Sequence, residues 1–182
     1  MIDVFLERNF EQPLEAAFVQ EEATQAAHGC LDLHRIRWQG SLLARDGRRL
    51  VCHFRAPDTE SARIGLRQAG AEVARLWGGT LHDAPGEDPA TANVLVERAF
   101  AAPVTLAAIQ ALEDAGSACL QNHRVRFVRT CFALDHRRML CLYRAPDAES
   151  VRLAQRLAGM PLERAWAFRA VLPAAENSTP HR

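Results

Sequence analysis

Two histidine–cysteine pairs are the first residues in this sequence that could carry out chemistry. His34 precedes Cys52 at the same spacing at which His123 precedes Cys141. An imidazole beside a thiol can generate a nucleophilic thiolate, and it can also supply two of the three or four ligands of a metal ion. Only these two residue types recur, and both cysteines lie in apolar strands. We therefore expect buried, unreactive cysteines, with a metal site or a catalytic thiol as the alternatives.

Arginine and glutamate on the predicted strands are the second candidate set. All 22 basic residues are arginine. Strand alternation predicts that Arg37 and Arg126 point away from the helices, into the interior, as do Glu7 and Glu97. Buried opposite charges must pair, so one hypothesis is an ion pair that locks two halves together. The other hypothesis is an anion-holding pocket, because arginine binds carboxylate or phosphate bidentately.

Strand alternation adds further residues to this candidate ligand-binding set, and two tryptophans at the ends of the last strands complete it. Trp77 and Trp166 end the last strand of each half, where an indole packs in the core or stacks on a ligand. The full set is Glu7, Arg35, Arg37, Ser41, Trp77, Glu97, Arg124, Arg126, Thr130 and Trp166. His53 is left out, because Leu142 stands at its position in the second copy. No phosphate-binding glycine loop, Ser-His-Asp order or paired-carboxylate motif is found, so no catalytic residue is assigned and no cofactor is predicted.

A tandem repeat supplies the elements that position these residues. The segment 30–77 aligns without a gap on 119–166. Apolar alternation, helix caps and turn residues predict strands at 4–10, 31–44, 50–55 and 73–81, with helices at 13–27 and 58–70. The second copy repeats this order with strands at 93–100, 119–134, 138–144 and 162–171 and helices at 103–115 and 147–158. We therefore predict repeats at 1–82 and 93–172, a linker at 83–92 and a flexible tail at 173–182.

Each copy reads as β-α-β-β-α-β, the ferredoxin-like arrangement of the α+β class. Its strands are apolar on both faces, and two helices cover only one face of a four-stranded sheet. The sister half is the nearest cover for the other face. We therefore expect two ferredoxin-like halves packed sheet to sheet, as a fused dimeric α/β barrel, either as a monomer (a pseudo-dimer) or as a homodimer.

Composition narrows the possible partners and compartment. The 22 basic and 22 acidic residues balance, which predicts no general attraction to nucleic acid. No apolar run reaches the length of a membrane span and no export signal is recognised, so we expect a cytoplasmic protein with no membrane partner. The five cysteines contain no Cys-x-x-Cys motif, and reduced thiols fit that compartment.

The sequence resembles a nickel-binding ferredoxin-like family, otherwise a domain of unknown function, present here as a tandem duplication. The residues that carry the resemblance include Glu7-Arg8, Asp46-Gly47, Cys52, Ala56-Pro57-Asp58, Ala69-Gly70, Glu97-Arg98, Thr130, Asp135, Cys141-Leu142-Tyr143, Ala145-Pro146-Asp147 and Ala158-Gly159. The resemblance implies the fold and makes nickel a candidate ligand. The nickel-binding members are histidine-rich in the first strand and near the hairpin, where this chain has Glu7-Arg8, Glu97-Arg98, Gly40 and Arg129.

These observations favour a non-enzymatic protein that binds a small ligand, anionic if the arginine hypothesis holds, or a metal ion. One alternative is a small-molecule enzyme of the oxygenase or isomerase type, by analogy with dimeric α/β barrels. Another is a protein-interaction scaffold. A titratable residue with a perturbed pKa in an enclosed pocket would favour the enzyme, and a filled interior would favour the scaffold.

Overall fold

Eight strands and five α-helices make up the part of the chain that the structure, a computed structural model, describes, residues 1–174. The first copy contains β1 (Ile2–Asn9), α1 (Ala16–Ala26), β2 (Arg37–Ala44), β3 (Arg49–Ala56), α2 (Thr59–Gln68) and β4 (Arg75–Asp83). The second contains β5 (Val94–Ala99), α3 (Leu106–Ala115), α4 (Ser117–Asn122), β6 (Arg126–Ala133), β7 (Arg138–Arg144), α5 (Ala148–Leu157) and β8 (Arg164–Val171). From residue 175 onward, the predicted tail lies outside the described residues.

The Ala-Pro-Asp and Ala-Gly motifs set the limits of two equivalent helices. Asp58 caps α2 by accepting a 2.7 Å hydrogen bond from the Ser61 amide, and Asp147 caps α5 in the same way. At the other ends, Gly70 and Gly159 have φ angles of 82° and 67°, which a residue with a side chain adopts at a cost. The repeated motifs therefore encode the same helix twice.

Backbone pairing closes the strands into one barrel. Among the described residues the strand order is β1-β3-β2-β8-β5-β7-β6-β4, returning to β1, and every neighbouring pair is antiparallel. The mixed α+β class is confirmed. The predicted sheet-to-sheet packing needs correction, because β2 pairs with β8 and β4 with β6, edge to edge. Pairing gives partners to backbone groups that two separate sheets would leave open.

The apolar residues form three layers, two outside the barrel wall under the helices and one inside it. One core lies between the first copy's helices and the outer barrel face, and a second lies under the helices of the other copy. The third fills much of the interior and draws on both copies, with Phe5, Val51, Leu95, Leu140, Trp166 and Phe168 among its members. The inner faces therefore cover each other across the barrel.

The predicted long strands start later than the sequence indicated. In the first copy a π-helical turn, Ala27–Leu31, continues α1, and in the second copy α4 occupies the equivalent place. Arg35 and Arg124 then adopt a φ of 56°, and the Ile36 amide bonds the Leu31 carbonyl at 2.9 Å. This turn buries Leu31 and Ile36 together, so their apolar pattern imitates a strand.

We predict that residues 1–84 do not form a stable monomer. Without the second copy, β2 and β4 lose their edge partners and the inner apolar face meets water. Light scattering coupled to size-exclusion chromatography should show a dimer or aggregate. A stable, well-dispersed monomer would contradict the closure described above.

Candidate functional site

The barrel interior has two chemically different ends. Along β1, alternation places Asp3 and Glu7 on the same inner face as Phe5. A strand rises about 3.3 Å per residue, so Asp3 and Glu7 lie about 13 Å apart. We call the end with Glu7, Glu97 and Arg138 the carboxylate end, and the end with Asp3, His53 and Arg129 the histidine end.

Two carboxylates and two indoles form a symmetric cluster at the carboxylate end. Trp77 Nε1 donates to Glu7 Oε1 at 2.7 Å, and Trp166 Nε1 donates to Glu97 Oε1 at 2.7 Å. Arg138 binds Glu7 through two nitrogens, and its Nη2 lies 3.7 Å from Glu97. Because each carboxylate has its partners inside the protein, this cluster has the character of a structural lock between the copies.

The predicted partnership of Arg37 and Arg126 with these glutamates is wrong. Arg37 pairs in register with Arg55, whose partner on β1 is Asp3, so Arg37 lies at the opposite end of the barrel from Glu7. Arg37 is exposed. Arg126 is also exposed and binds Glu87 at 3.2 Å.

Arg138, which the sequence analysis did not select, provides the missing charge. It is the first residue of the predicted strand 138–144, it opens β7 in the structure, and it shares its inner face with Leu140 and Leu142. Arg75 lies 4.0 Å from Glu7 and Arg164 lies 3.6 Å from Glu97, which adds further positive charge. Because the predicted strand 138–144 already includes Arg138, alternation with Leu140 and Leu142 along it would have identified this residue as inward-facing.

Ser41 and Thr130 lie in the helix-facing layers rather than in the barrel interior. A β-bulge between Trp38 and Gly40 places Ser41 on the same face as Trp38, whose Nε1 donates to Ser41 Oγ at 3.0 Å. Ser41 Oγ then donates to Cys52 Sγ at 3.0 Å, and Thr130 makes the equivalent 3.4 Å contact with Cys141. Burial raises the pKa of Cys52 to about 11, so the thiol is protonated and unreactive.

The remaining candidates do not assemble a site. His34 bonds the Gln68 side chain at 2.7 Å, His123 is half-buried, and Arg35 and Arg124 are exposed on their turns. Within residues 1–174, no three His, Cys, Asp or Glu side chains are grouped so that they could hold a metal ion. The described residues therefore do not fit a nickel site of the type the resemblance suggests.

An apolar cavity of about 320 Å³ occupies the barrel interior at the histidine end. Its wall is largely aliphatic and aromatic, with contributions from both copies that include Phe5, Leu42, Val51, Leu95, Leu142 and Phe168. Pro89 and Ala90, from a 3-10 turn in the predicted linker, also line it. A volume near the lower limit of small-molecule sites, about 300 Å³, suits a compact ligand.

His53 is the titratable base in this cavity wall. Its ring stacks on Phe5 with centroids 4.9 Å apart, and its Nε2 lies 2.8 Å from Asp3 Oδ1. Because a carboxylate accepts, Nε2 carries the proton and Nδ1 carries the basic lone pair. Burial lowers the pKa of His53 below its ordinary value of 6.5, although the hydrogen bond to Asp3 and its charge oppose this. Neutral His53 therefore predominates at pH 7.

Arg129 is the cationic member of the same wall. Its Nε and Nη2 bind the two carboxylate oxygens of Asp83, the latter at 2.8 Å, and this pairing raises the pKa of Arg129. Nη1 has no protein partner within residues 1–174. The guanidinium therefore keeps hydrogen-bond donors for an anionic or carbonyl oxygen.

The histidine end differs between the two copies, unlike the carboxylate end. Leu142 stands in place of His53, Asn93 in place of Asp3 and Gly40 in place of Arg129. Asn93 instead bonds the backbone of Ala145. His53 has no counterpart in the second copy, and the sequence signal that marks it is a single histidine on the inner face of β3.

Comparison with protein families supports the resemblance noted from the sequence. Residues 95–167 match the model of the family described as "Nickel responsive protein SCO4226-like". The resemblance is thus confirmed over most of the second copy. No curated protein matches the chain. Of the helices within residues 1–174, none is long and apolar enough to cross a membrane.

Solved structures with the same fold include two proteins named as chlorite dismutases. TA0507, assigned to the chlorite dismutases, is 10% identical with a TM-score of 0.51, and the alignment covers 93% of each chain. The chlorite dismutase from Candidatus Nitrospira defluvii, solved in complex with imidazole, is 12% identical with a TM-score of 0.51. That alignment covers 94% of this chain and 91% of the other. At these identities the likeness establishes the fold, that of the dimeric α/β barrel class.

We predict that Arg138→Met destabilises the protein by about 3 kcal/mol or more, because it leaves Glu7, whose side chain is 8% exposed, without its main counter-charge. Arg37→Met is the matched control, and as an exposed substitution it should change stability by less than about 0.5 kcal/mol. Urea unfolding followed by circular dichroism measures both. Equal effects of the two variants would contradict the assignment of Arg138 as the partner of Glu7.

We also predict that chelators leave the melting temperature unchanged in protein purified without a histidine tag. A structural metal contributes folding free energy directly, so its removal would lower the midpoint. Differential scanning fluorimetry with and without EDTA, beside elemental analysis for nickel and zinc, makes the measurement. Stoichiometric metal that is lost together with stability would overturn this expectation.

Proposed function

We propose that this protein is a small-molecule enzyme whose reaction takes place in the cavity at the histidine end. The observation that carries the proposal is His53, which lies in the wall of an apolar cavity and is hydrogen-bonded to Asp3 behind it in the protein. The enzyme alternative of the sequence analysis thereby takes precedence over the non-enzymatic binding protein that it placed first. The scaffold alternative required a filled interior, which the cavity argues against.

Proton abstraction is the chemistry that this pair supports best. Asp3 fixes the tautomer of His53, and the lowered pKa keeps the imidazole in its basic form at neutral pH. Nδ1 would accept a proton from a carbon next to a carbonyl group. The electron pair of the broken C–H bond moves onto the carbonyl oxygen and forms an enolate, and return of the proton to another atom completes an isomerisation.

Arg129 supports this reaction and restricts the substrate. Its free Nη1 donors can stabilise the enolate oxygen as negative charge develops there, because a preorganised cation in an apolar site needs no rearrangement. The remaining wall is apolar and the volume is about 320 Å³. The substrate class is therefore a compact carbonyl compound with an apolar body, and an acidic group would accept hydrogen bonds from Arg129 Nη1.

The comparisons add independent support for an enzyme. Two proteins that share the barrel over more than nine tenths of their length carry the name of an enzyme, chlorite dismutase. Such likeness transfers no reaction to this chain, because it rests on fold alone. It does indicate that this barrel fold is compatible with catalysis. The enzyme hypothesis requires that compatibility, and the binding-protein hypothesis does not.

Deuterium exchange tests the proposal without knowledge of the natural substrate. Phenylpyruvate and 2-indanone in deuterium oxide exchange their acidic C–H protons, and proton NMR follows the loss of signal. The wild-type protein should accelerate the exchange of at least phenylpyruvate. His53→Leu should reduce the acceleration at least about 100-fold, the usual contribution of a general base. Asp3→Asn should cause a smaller loss.

The controls come from the chain itself. Leu and Asn are the residues of the second copy at these two positions, so both variants suit the fold. His34→Leu removes a histidine outside the cavity and should leave the exchange unchanged. Because protonated His53 cannot accept a proton, the rate should rise with pH, with a midpoint below 6.5, and stay level above it. Binding of both probes without faster exchange would instead support a non-enzymatic binding protein.

A further inference from the structure

A buried arginine in the second copy shows which groups can pair with a guanidinium between the helices and the sheet. Arg98 on β5 is fully buried, and its Nη2 donates to Tyr143 Oη at 2.9 Å and to Gln155 Oε1 at 2.8 Å. Its Nη1 bonds the Pro161 carbonyl. Tyr143 in turn donates to a Glu113 carboxylate oxygen at 2.7 Å. A carboxylate on α3 thus balances the Arg98 charge through one phenol.

The first copy keeps the arginine and loses every side-chain acceptor. Arg8 on β1 is the counterpart of Arg98, whereas Phe54 stands for Tyr143, Leu66 for Gln155 and Ala23 for Glu113. The Arg8 guanidinium lies over the Phe10 ring, 4.8 Å from its centroid. Within residues 1–174 it has no hydrogen-bonding or ion-pair partner.

A cavity of about 200 Å³ lies where the second copy holds this network. Arg8, Ala23, Phe54 and Leu66 all line it, so the shorter and apolar replacements leave space in front of the guanidinium. The rest of the wall is largely apolar, and half-exposed Phe18 and exposed Glu22 stand at its margin. The first copy also has one residue more between Pro13 and Cys30 than the second has between Pro103 and Cys119. This extra residue lies by the π-helical turn that borders the cavity.

We infer that this cavity binds a small carboxylate with an apolar tail, such as a short-chain fatty acid. The carboxylate supplies the counter-charge that Glu113 supplies in the second copy, and it bonds the free donors of Arg8 directly, as Tyr143 and Gln155 bond Arg98. The tail replaces water against Leu66, Phe54 and the helix residues, which stabilises the complex by apolar burial. A phosphate fits less well, because the wall offers one cation and few other donors. The site is separate from the barrel cavity and does not depend on the proposed enzymatic reaction.

Calorimetric titration with hexanoate tests this inference on the intact protein, with hexan-1-ol as the uncharged probe of equal chain length. Hexanoate should bind at one site and more tightly than hexanol. Arg8→Met keeps an unbranched side chain and removes the guanidinium. It should weaken hexanoate binding about 10- to 100-fold, which corresponds to the loss of a charged hydrogen bond, while hexanol binding stays unchanged. Arg63→Met, on the exposed face of α2 beside Glu60, is the control and should bind both probes like the wild type.

The double variant Ala23→Glu/Phe54→Tyr provides a second measurement by rebuilding the second copy's network around Arg8. It should lose hexanoate binding because the new phenol bonds the Arg8 donors and the new carboxylate supplies their counter-charge through it, and it should retain the wild-type response of the barrel cavity to phenylpyruvate. Equal binding of hexanoate and hexanol by the wild type would overturn the inference. Undiminished hexanoate binding by either the Arg8 variant or the double variant would overturn it as well.

Discussion

Backbone hydrogen bonds between β2 and β8, and between β4 and β6, are the constraint on which the rest of this structure depends. They join two four-stranded sheets into a ring in which every strand has two neighbours. Closure creates an interior that both copies must fill, and it fixes which side chains meet there. The symmetric carboxylate end and the asymmetric cavity at the histidine end are two results of the same closure.

Much of the fold could be predicted from the sequence because its determinants are local and occur twice. The Asp58 and Asp147 caps and the Gly70 and Gly159 terminators are fixed by hydrogen bonds and backbone angles within a few residues. The edge pairing could not be predicted, because either face packing or edge pairing would cover the same apolar strands. The segments 31–36 and 119–125 were misread as strand, since a helical end with a left-handed residue buries an apolar pattern equally well.

The candidate site was predicted less completely, and for a physical reason. Strand alternation correctly placed Glu7 and Glu97 inside but gave no position along the barrel axis, so it paired them with Arg37 and Arg126 at the wrong end. The axial position depends on register, which became known only with the pairing of β1, β3 and β4. His53 was missed for a different reason, because a requirement for duplicated chemistry discards any residue that one copy alone carries.

The two copies therefore differ in how their internal positions are used. Where a side chain serves closure, as the glutamates and tryptophans of the carboxylate end do, both copies keep it. Where a side chain faces a cavity, one copy differs from the other, as His53 differs from Leu142 and Ala23 from Glu113. Divergence within one chain thus points to positions at which the fold itself does not require a particular residue.

The pairing of β2 with β8 also constrains how the chain is made. β2 leaves the ribosome early, whereas β8 is synthesised after the other seven described strands, so the first copy is complete long before its edge partner exists. During that interval β2 and the inner face of the first sheet are exposed to other nascent chains. Translation speed and chaperone access should therefore affect the yield of this protein more than the stability of its finished barrel would indicate.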